Sequence, residues 1–381
     1  MSALTAPFDT AWASRLGGAL TVLTSVSVTA SGMDPITLDV VNGTLTWDED
    51  TTPHVEASLT CHVPDDVAVL DALDPRLNRR LVVTAGYRVP GVSESHVIAD
   101  LMLTDRVVTR AAGVAKMTIR GVSDERRVID TRPITGSRSF SNASDGGQAI
   151  RTLILWAAES WSALPAVEVT ASGTFVASGD SLLINRDDDL WGSIQDIADR
   201  IGAWVYHDGL GADGAFHVVP QPTRAGPAAA MLKVGAGGTI TASEAALTRE
   251  AFANTVSVQY EWYDGQQQSV FGYAEVTSGP YAVAAIGRKQ VRITIPRKGS
   301  AAQARAAAAQ MVRRAVSRGR QVSVEVDHAP LWVRPGDTVT VELVTGRQVR
   351  HLVSRVDIDI PSGHGHITTR QPEDVVIETG E

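Results

Sequence analysis

The sequence predicts a β-rich α+β fold, and three features carry that reading. Short segments along most of the chain alternate apolar and polar side chains, the two-residue period of strands with one buried face. Val, Thr and Ala are prominent, and the 33 glycines, 44% hydrophobic and 20% charged residues fit sheet built around a core. Clear helical periodicity is confined to stretches in the middle and late chain. A length of 381 residues is enough for two or three domains.

Strands dominate from Leu20 to about Glu125. In His54 to Val63, the residues Val55, Ala57, Leu59, Cys61 and Val63 face one way, and His54, Glu56, Ser58, Thr60 and His62 face water. Leu20–Val28, Ile36–Trp47, Leu81–Val89, Val97–Val108 and Ala115–Val122 are further strands, divided by turns such as Asn42-Gly43 and Pro90-Gly91. Short strands at this spacing predict a barrel or sandwich over residues 1–135. The polar stretch Arg126 to Asp145, with Pro133, Gly136 and a serine cluster, closes that unit.

Residues 136–230 read as an α/β region. Ile150, Leu153, Ile154, Ala157 and Trp161 mark one helix face, and Val167–Ile184 is β-prone. Leu190, Trp191, Ile194, Ile197, Ala198 and Ile201 mark a second face, started by Asp188 or Asp189 and stopped by Gly202. Ala203–Tyr206 and Phe216–Val219 then form strands around the turn Asp208–Gly214, which gives a helix followed by a hairpin.

Pro220–Gly238 is a connection, and residues 231–381 return to strands at Val256–Trp262 and Val291–Ile295. Ser300 and Gln303 have capping-box spacing at the head of an alanine-rich helix, 301–318, and Gly319 supplies its stop. Ala304, Ala308, Met311 and Ala315 form a stripe of small or slender residues, so the helix is expected to lie closely on the strands that follow it. Those are Val322–Val326 and Val339–Leu343, joined through the turn Leu331–Asp337 with its Pro335-Gly336-Asp337. Residues 347–369 are mostly strand.

A net charge of -9 and a pI near 5.5 lack the basic footprint of a protein that grips nucleic acid. The single cysteine, Cys61, leaves no intramolecular disulfide and suits folding in a reducing cytoplasm. No apolar run reaches the roughly 18 to 20 residues of a membrane span, and Asp9 and Arg15 interrupt the N-terminus where a signal peptide would need an apolar core.

Motifs for chemistry are sparse. Gly209, Gly211 and Gly214 match G-x-G-x-x-G, but the dinucleotide fingerprint needs a helix to receive the pyrophosphate and here a strand follows, which favours a hairpin turn. Counted as a calcium loop from Asp208, the turn puts Leu210, Ala212 and Val219 at ligand positions. Asp187, Asp188 and Asp189 are consecutive and cannot all converge on one cation, so helix capping is favoured. His364 and His366, with His351 upstream, lack a Cys or acidic partner at ligand spacing, and a solvated turn is favoured over a structural metal. Nucleophile signatures and a Walker loop are missing, Cys61 sits on an apolar strand face, and Trp156, Trp161 and Trp191 sit on apolar helix faces. No catalytic, cofactor or metal residue is assigned.

Three of these features, in this order, resemble phage tail hub proteins. Leu190-Trp191 to Phe216-His217-Val218 resembles their helix, glycine, aromatic strand, aspartate-glycine turn and strand. Thr248-Arg249-Glu250 with Asn254-Thr255-Val256 is similar to the motif that opens their next strand. The alanine-rich helix with Leu331–Val339 resembles their late helix and Pro-Gly-Asp turn. The Ala, Val and Arg bias is similar to minor tail proteins of phages of high-GC actinobacteria, and the N-terminal third matches only in its strand-rich character.

The resemblance implies two β-barrel tube-like domains with an inserted helix-hairpin α/β region, the second barrel closed by the late helix and turn. It implies a non-enzymatic homotrimer forming a pseudo-hexameric collar at the tail tip of the virion, assembled in the host cytoplasm. The implied partners are the distal tail protein, the tape-measure protein and receptor-binding tip proteins, with DNA passing through the channel unbound. An acidic lumen would keep DNA from sticking. Two alternatives stand beside it: a hub-associated peptidoglycan-degrading enzyme, and a carbohydrate-binding receptor module.

Overall fold

The computed structural model describes residues 8–111, 113–131, 136–176, 181–186, 188–223, 226–235, 237–247, 249–250, 252–263, 265–296, 298–317, 320–343, 346–371 and 375–380. The chain opens with β1 (Thr21–Ala30), β2 (Met33–Leu38), β3 (Val40–Asp48), β4 (Val55–Cys61), α1 (Val67–Ala72), β5 (Arg80–Val89), β6 (Val92–Ala111) and β7 (Val114–Val122). Then come α2 (Glu125–Asp130), β8 (Ser137–Ser141), α3 (Gly146–Ala157), β9 (Ala166–Val169), β10 (Ser181–Asn185), α4 (Leu190–Ile201), β11 (Ala203–His207) and β12 (Ala215–Pro220). The remainder holds β13 (Ala230–Lys233), β14 (Ile240–Leu247), β15 (Thr255–Tyr263), β16 (Gln267–Val276), α5 (Val283–Ile286), β17 (Gln290–Ile295) and α6 (Ala301–Ser317). It ends with β18 (Arg320–Val326), β19 (Thr338–Glu342), β20 (Gln348–Asp359), β21 (Gly365–Arg370) and β22 (Ile377–Gly380). Among the described residues no helix is long and apolar enough to cross a membrane.

Alternation in sequence becomes alternation in burial. Along β4, Val55, Ala57, Leu59 and Cys61 are buried while Glu56 is exposed, as a half-wet strand requires. β4 lies within a 13-stranded sheet ordered β14-β18-β21-β20-β3-β4-β7-β6-β5-β1-β2, with β13 and β19 branching beside β20. N-terminal and C-terminal strands meet where β3 pairs β20, from Asp48 opposite Arg355 to Thr44 opposite Asp359. The β-rich reading holds. Two closed barrels do not appear among the described residues: the pairing is one open sheet, because β3 has β4 on one side and β20 on the other.

The sheet rolls over on itself. The Tyr87 hydroxyl of β5 donates to the Ala329 carbonyl and accepts from Leu331 N at 2.8 Å, and Thr24 Oγ1 of β1 donates to the Pro361 carbonyl at 3.2 Å. Phe8, Trp12, Tyr87 and Trp332 pack as an aromatic group at this seam. One apolar core, from Trp12 to Ile367, therefore draws on both ends of the chain.

A second core, spanning Val128 to Val218, holds α3, α4, the sheet β11-β12-β9 and the ribbon β8–β10. The helix-hairpin reading holds here. Asp189 caps α4 by accepting from Gly192 N at 3.1 Å, and Gly202 stops it at φ +66°, where a side chain is disfavoured.

The third core is the sheet β17-β15-β16-β22 covered by α6. The Ser300/Gln303 box is reciprocal, with Ser300 N on Gln303 Oε1 at 2.8 Å and Gln303 N on Ser300 Oγ at 3.3 Å. Ala304, Ala307, Ala308, Val312 and Val316 pack against Val256, Val258, Tyr260 and Ala274. Gly272 permits the approach, since a Cβ there would lie 2.6 Å from Arg305 N. This corrects the expected partner of α6: it lies on the strands before it, while β18 and β19 join the large sheet. Met311 and Ala315 are only partly buried on this stripe. Pro133, Asp187, Thr248, Arg318 and Gly319 lie outside the described residues.

Candidate assembly site: charged joints between the three cores

The three cores meet through polar contacts, and two of the three joints they form meet at the loop between β3 and β4. At its end, His54 Nδ1 lies 3.0 Å from Glu125 Oε1, which also accepts from His207 N at 2.7 Å. Trp204 Nε1 of β11 donates to His54 Nε2 at 3.2 Å. Ser123 and Val55 exchange bonds beside them, with Val55 N on Ser123 Oγ at 3.1 Å and Ser123 N on the Val55 carbonyl at 2.9 Å. Burial pushes the Glu125 carboxyl up, but the His54 hydrogen bond, the His54 and His207 rings and Ser123 outweigh it and hold it below the usual range.

The Gly-x-Gly turn belongs to this joint. Asp100 N donates to the Gly209 carbonyl at 2.6 Å, Arg80 Nε donates to Asp100 Oδ1 at 2.8 Å, and Arg80 Nη1 donates to Asp124 Oδ1 at 2.6 Å. A Cβ on Gly211, at φ +61°, would lie 2.1 Å from the Asp100 carboxylate, and one on Gly209 would lie 2.9 Å from Val55. Asp208 accepts from Leu210 N and Ala215 N at 2.9 Å each, which pins the turn. The glycines thus serve a close docking contact, and the favoured hairpin reading holds.

A second joint fastens the large sheet to α6. Arg370 of β21 grips Glu49 in a fork, Nε to Oε1 at 2.6 Å and Nη2 to Oε2 at 3.2 Å, and its Nη1 donates to Ser317 Oγ at 3.3 Å. Arg314 of α6 reaches the Glu49 carbonyl at 3.2 Å and the Asp50 carboxylate at 2.5 Å. The third joint runs from α4 to the helix-covered sheet. Arg200 pairs with Asp196 at 2.9 Å, donates to the Phe175 carbonyl at 3.1 Å and stacks 4.8 Å from the Tyr260 ring centre, while Gln303 of α6 also donates to the Phe175 carbonyl.

The Leu331–Asp337 turn lies beside the first joint. Arg334 N donates to Asp337 Oδ2 at 2.9 Å, and its buried guanidinium sits 4.1 Å from the Trp47 ring centre and donates to the Leu331 and Val333 carbonyls. Burial lowers its pKa to about 10. Asp337 N closes the turn on the Arg334 carbonyl, and the bond to β20 runs the other way, from Val353 N to the Asp337 carbonyl.

The other residues singled out in the sequence are dispersed. Asp188 accepts from Asn185 N at 2.8 Å. His351 meets Thr369 Oγ1 at 3.2 Å, His364 pairs with Asp327 at 3.3 Å and His366 with Asp357 at 3.6 Å. Cys61 is buried, which with Asp39 pushes its thiol up to about 11. Trp156 and Trp191 are core, and Trp161 is capped by the Arg127 guanidinium at 3.7 Å. His54, read from alternation as solvent-facing, is only 7% exposed. Glu49, Glu125, Arg200 and Arg370 have no sequence signal beyond being charges beside apolar runs.

No family model and no curated protein matches the chain. Solved structures do. A tail protein from Neisseria meningitidis MC58 superposes with a TM-score of 0.63 at 13% identity, over 92% of this chain and 96% of that one. The 43 kDa tail protein of prophage MuSo2 from Shewanella oneidensis gives 0.62 at 12% identity, over 93% and 100%. This chain has their fold. A chain of the Francisella PdpA–VgrG complex follows at 0.52 and 9% identity, where this chain spans 55% of the other's length.

Proposed function

We propose that the protein is a structural hub of a phage tail tip, a ring that joins the tail tube to the distal tip and lines the channel for DNA. The observation that carries this is the likeness to two tail proteins over nearly the whole of both chains. In this reading the two ends of the rolled sheet are the paired tube-like units. Three copies present six units to a sixfold tube, and the α4 hairpin unit and α6 sheet stand outside as contact modules. β14 supports a contact between copies: it ends the large sheet, is exposed on both faces over most of its length and leaves Leu247 81% exposed.

The partners are the distal tail protein, the tape-measure protein and the receptor-binding tip proteins. The chain works in the virion, having assembled in the host cytoplasm. It carries no catalysis of its own, and the net charge of -9 suits a lumen that repels DNA. A tagged copy located in phage particles by gold labelling tests this. Label at the tail tip is the expected outcome; label confined to the head, or lysis of cell walls by the purified chain, overturns it.

A further inference from the structure

His54 makes two hydrogen bonds with opposite proton requirements. Its Nδ1 faces the Glu125 carboxylate, which only accepts, so Nδ1 carries a hydrogen. Its Nε2 faces Trp204 Nε1, which only donates, so Nε2 must offer its lone pair. The pair of contacts selects the neutral Nδ1–H tautomer. A proton added to Nε2 would set N–H against N–H at the 3.2 Å separation now held by the hydrogen bond.

The surroundings give that proton a route and decide which contact breaks. An open groove of about 230 Å³ reaches the ring, lined by Asp48, Glu56 and Arg355 from β3, β4 and β20. A second space of about 20 Å³ at His54, room for one water at most, is bounded by Trp204, Tyr206, His207, Asp208 and Arg334. Asp337 pairs with the backbone of Arg334, Asp208 faces His217 at 3.4 Å, and His217 meets Glu168 of β9 at 3.3 Å. Behind Glu125, Asp124 is engaged by Arg80 at 2.6 Å and Arg127 at 3.6 Å. Glu125 would therefore keep a charged imidazolium in place, and the weaker bond to Trp204 is the one that yields.

We propose that His54 is an acid-sensitive latch between the rolled sheet and the helix-hairpin unit: a proton from solvent on Nε2 releases Trp204 and loosens β11 and the Asp208–Gly214 turn. The inference rests on local geometry and is independent of the tail-hub reading.

Two measurements on the intact chain test it. Long-range nitrogen–proton NMR of the His54 ring at about pH 8 is expected to show the Nδ1–H tautomer, and an Nε2–H tautomer or a cation there would overturn the proposal. Hydrogen exchange of residues 203–210, corrected for its intrinsic pH dependence, is expected to accelerate about tenfold between about pH 8 and about pH 5, the scale of one lost hydrogen bond, while 81–87 stays slow. In His54→Gln, whose amide donates and accepts without titrating, the acceleration is expected to vanish. Trp204→Phe is expected to be fast at both values. Acceleration that survives in His54→Gln, or none in the wild type, would contradict the latch.

Discussion

The joint at Glu49 and the joint at His54 lie five positions apart in sequence and fasten the same loop by different chemistry. Arg370 and Glu49 form a buried fork in which a guanidinium meets both oxygens of a carboxylate. His54 instead bridges a carboxylate on Nδ1 and an indole N–H on Nε2. The Glu49 joint fastens α6 to the large sheet by opposite charge. The His54 joint is the one the latch proposal makes adjustable, and the unit it holds sits over a turn fitted so tightly that glycine is required.

Breaking the fork gives the largest expected effect. Arg370→Met leaves the Glu49 carboxylate buried and unpaired, and equilibrium urea unfolding should show a loss of about 3–5 kcal/mol. Adding Glu49→Leu should recover most of it, since replacing both charges removes the orphan. Failure of the double variant to recover would mean that the fork contributes attraction beyond mutual neutralisation.

Gly211→Ala tests the adjustable joint. With φ at +61° and the Asp100 carboxylate in the way, it should cost about 2–3 kcal/mol, read as the same urea shift. Hydrogen exchange should place the damage in 203–215 and spare the α6 sheet.

Glu125 adds a pH dependence with a definite sign. Its folded carboxyl titrates below the ordinary value near 4.5, so its contribution is complete above that value and is lost as pH falls through the lowered folded one. Glu125→Gln should flatten that acid limb of a stability–pH curve, at a cost of about 1–2 kcal/mol near neutrality. An unchanged limb would remove Glu125 from the account.

The smallest effect lies at the third joint. Burial and the neighbouring Asp196 raise the Asp199 carboxyl to about 6, so its ionised form weakens the fold above that pH and the penalty fades as pH falls toward 3.8. Asp199→Asn should stabilise by about 1 kcal/mol at pH near 7.5 and by nothing near pH 4, in thermal melts at the two values.

These contrasts also mark what the sequence makes legible. Strand β4, helix α4 with its Gly202 stop, and the Ser300/Gln303 box follow from local rules, because period and capping involve neighbours in sequence. The partner of each element is different. β3 pairs β20 across about 310 positions, and α6 could rest on strands before or after it; alternation names a buried face without naming what covers it. His54, just before β4, shows the same limit, since its outward parity is correct and it is covered by Trp204, distant in the chain.

An electron cryomicroscopy map of the tail tip checks the proposed hub role at the level of the assembled particle. Three copies of this chain are expected around the axis, with the rolled sheets lining a channel of acidic surface and the α4 hairpin unit and α6 sheet outside it. A tip that lacks the chain, a chain bound singly at the periphery, or a channel surface dominated by Arg and Lys would contradict it.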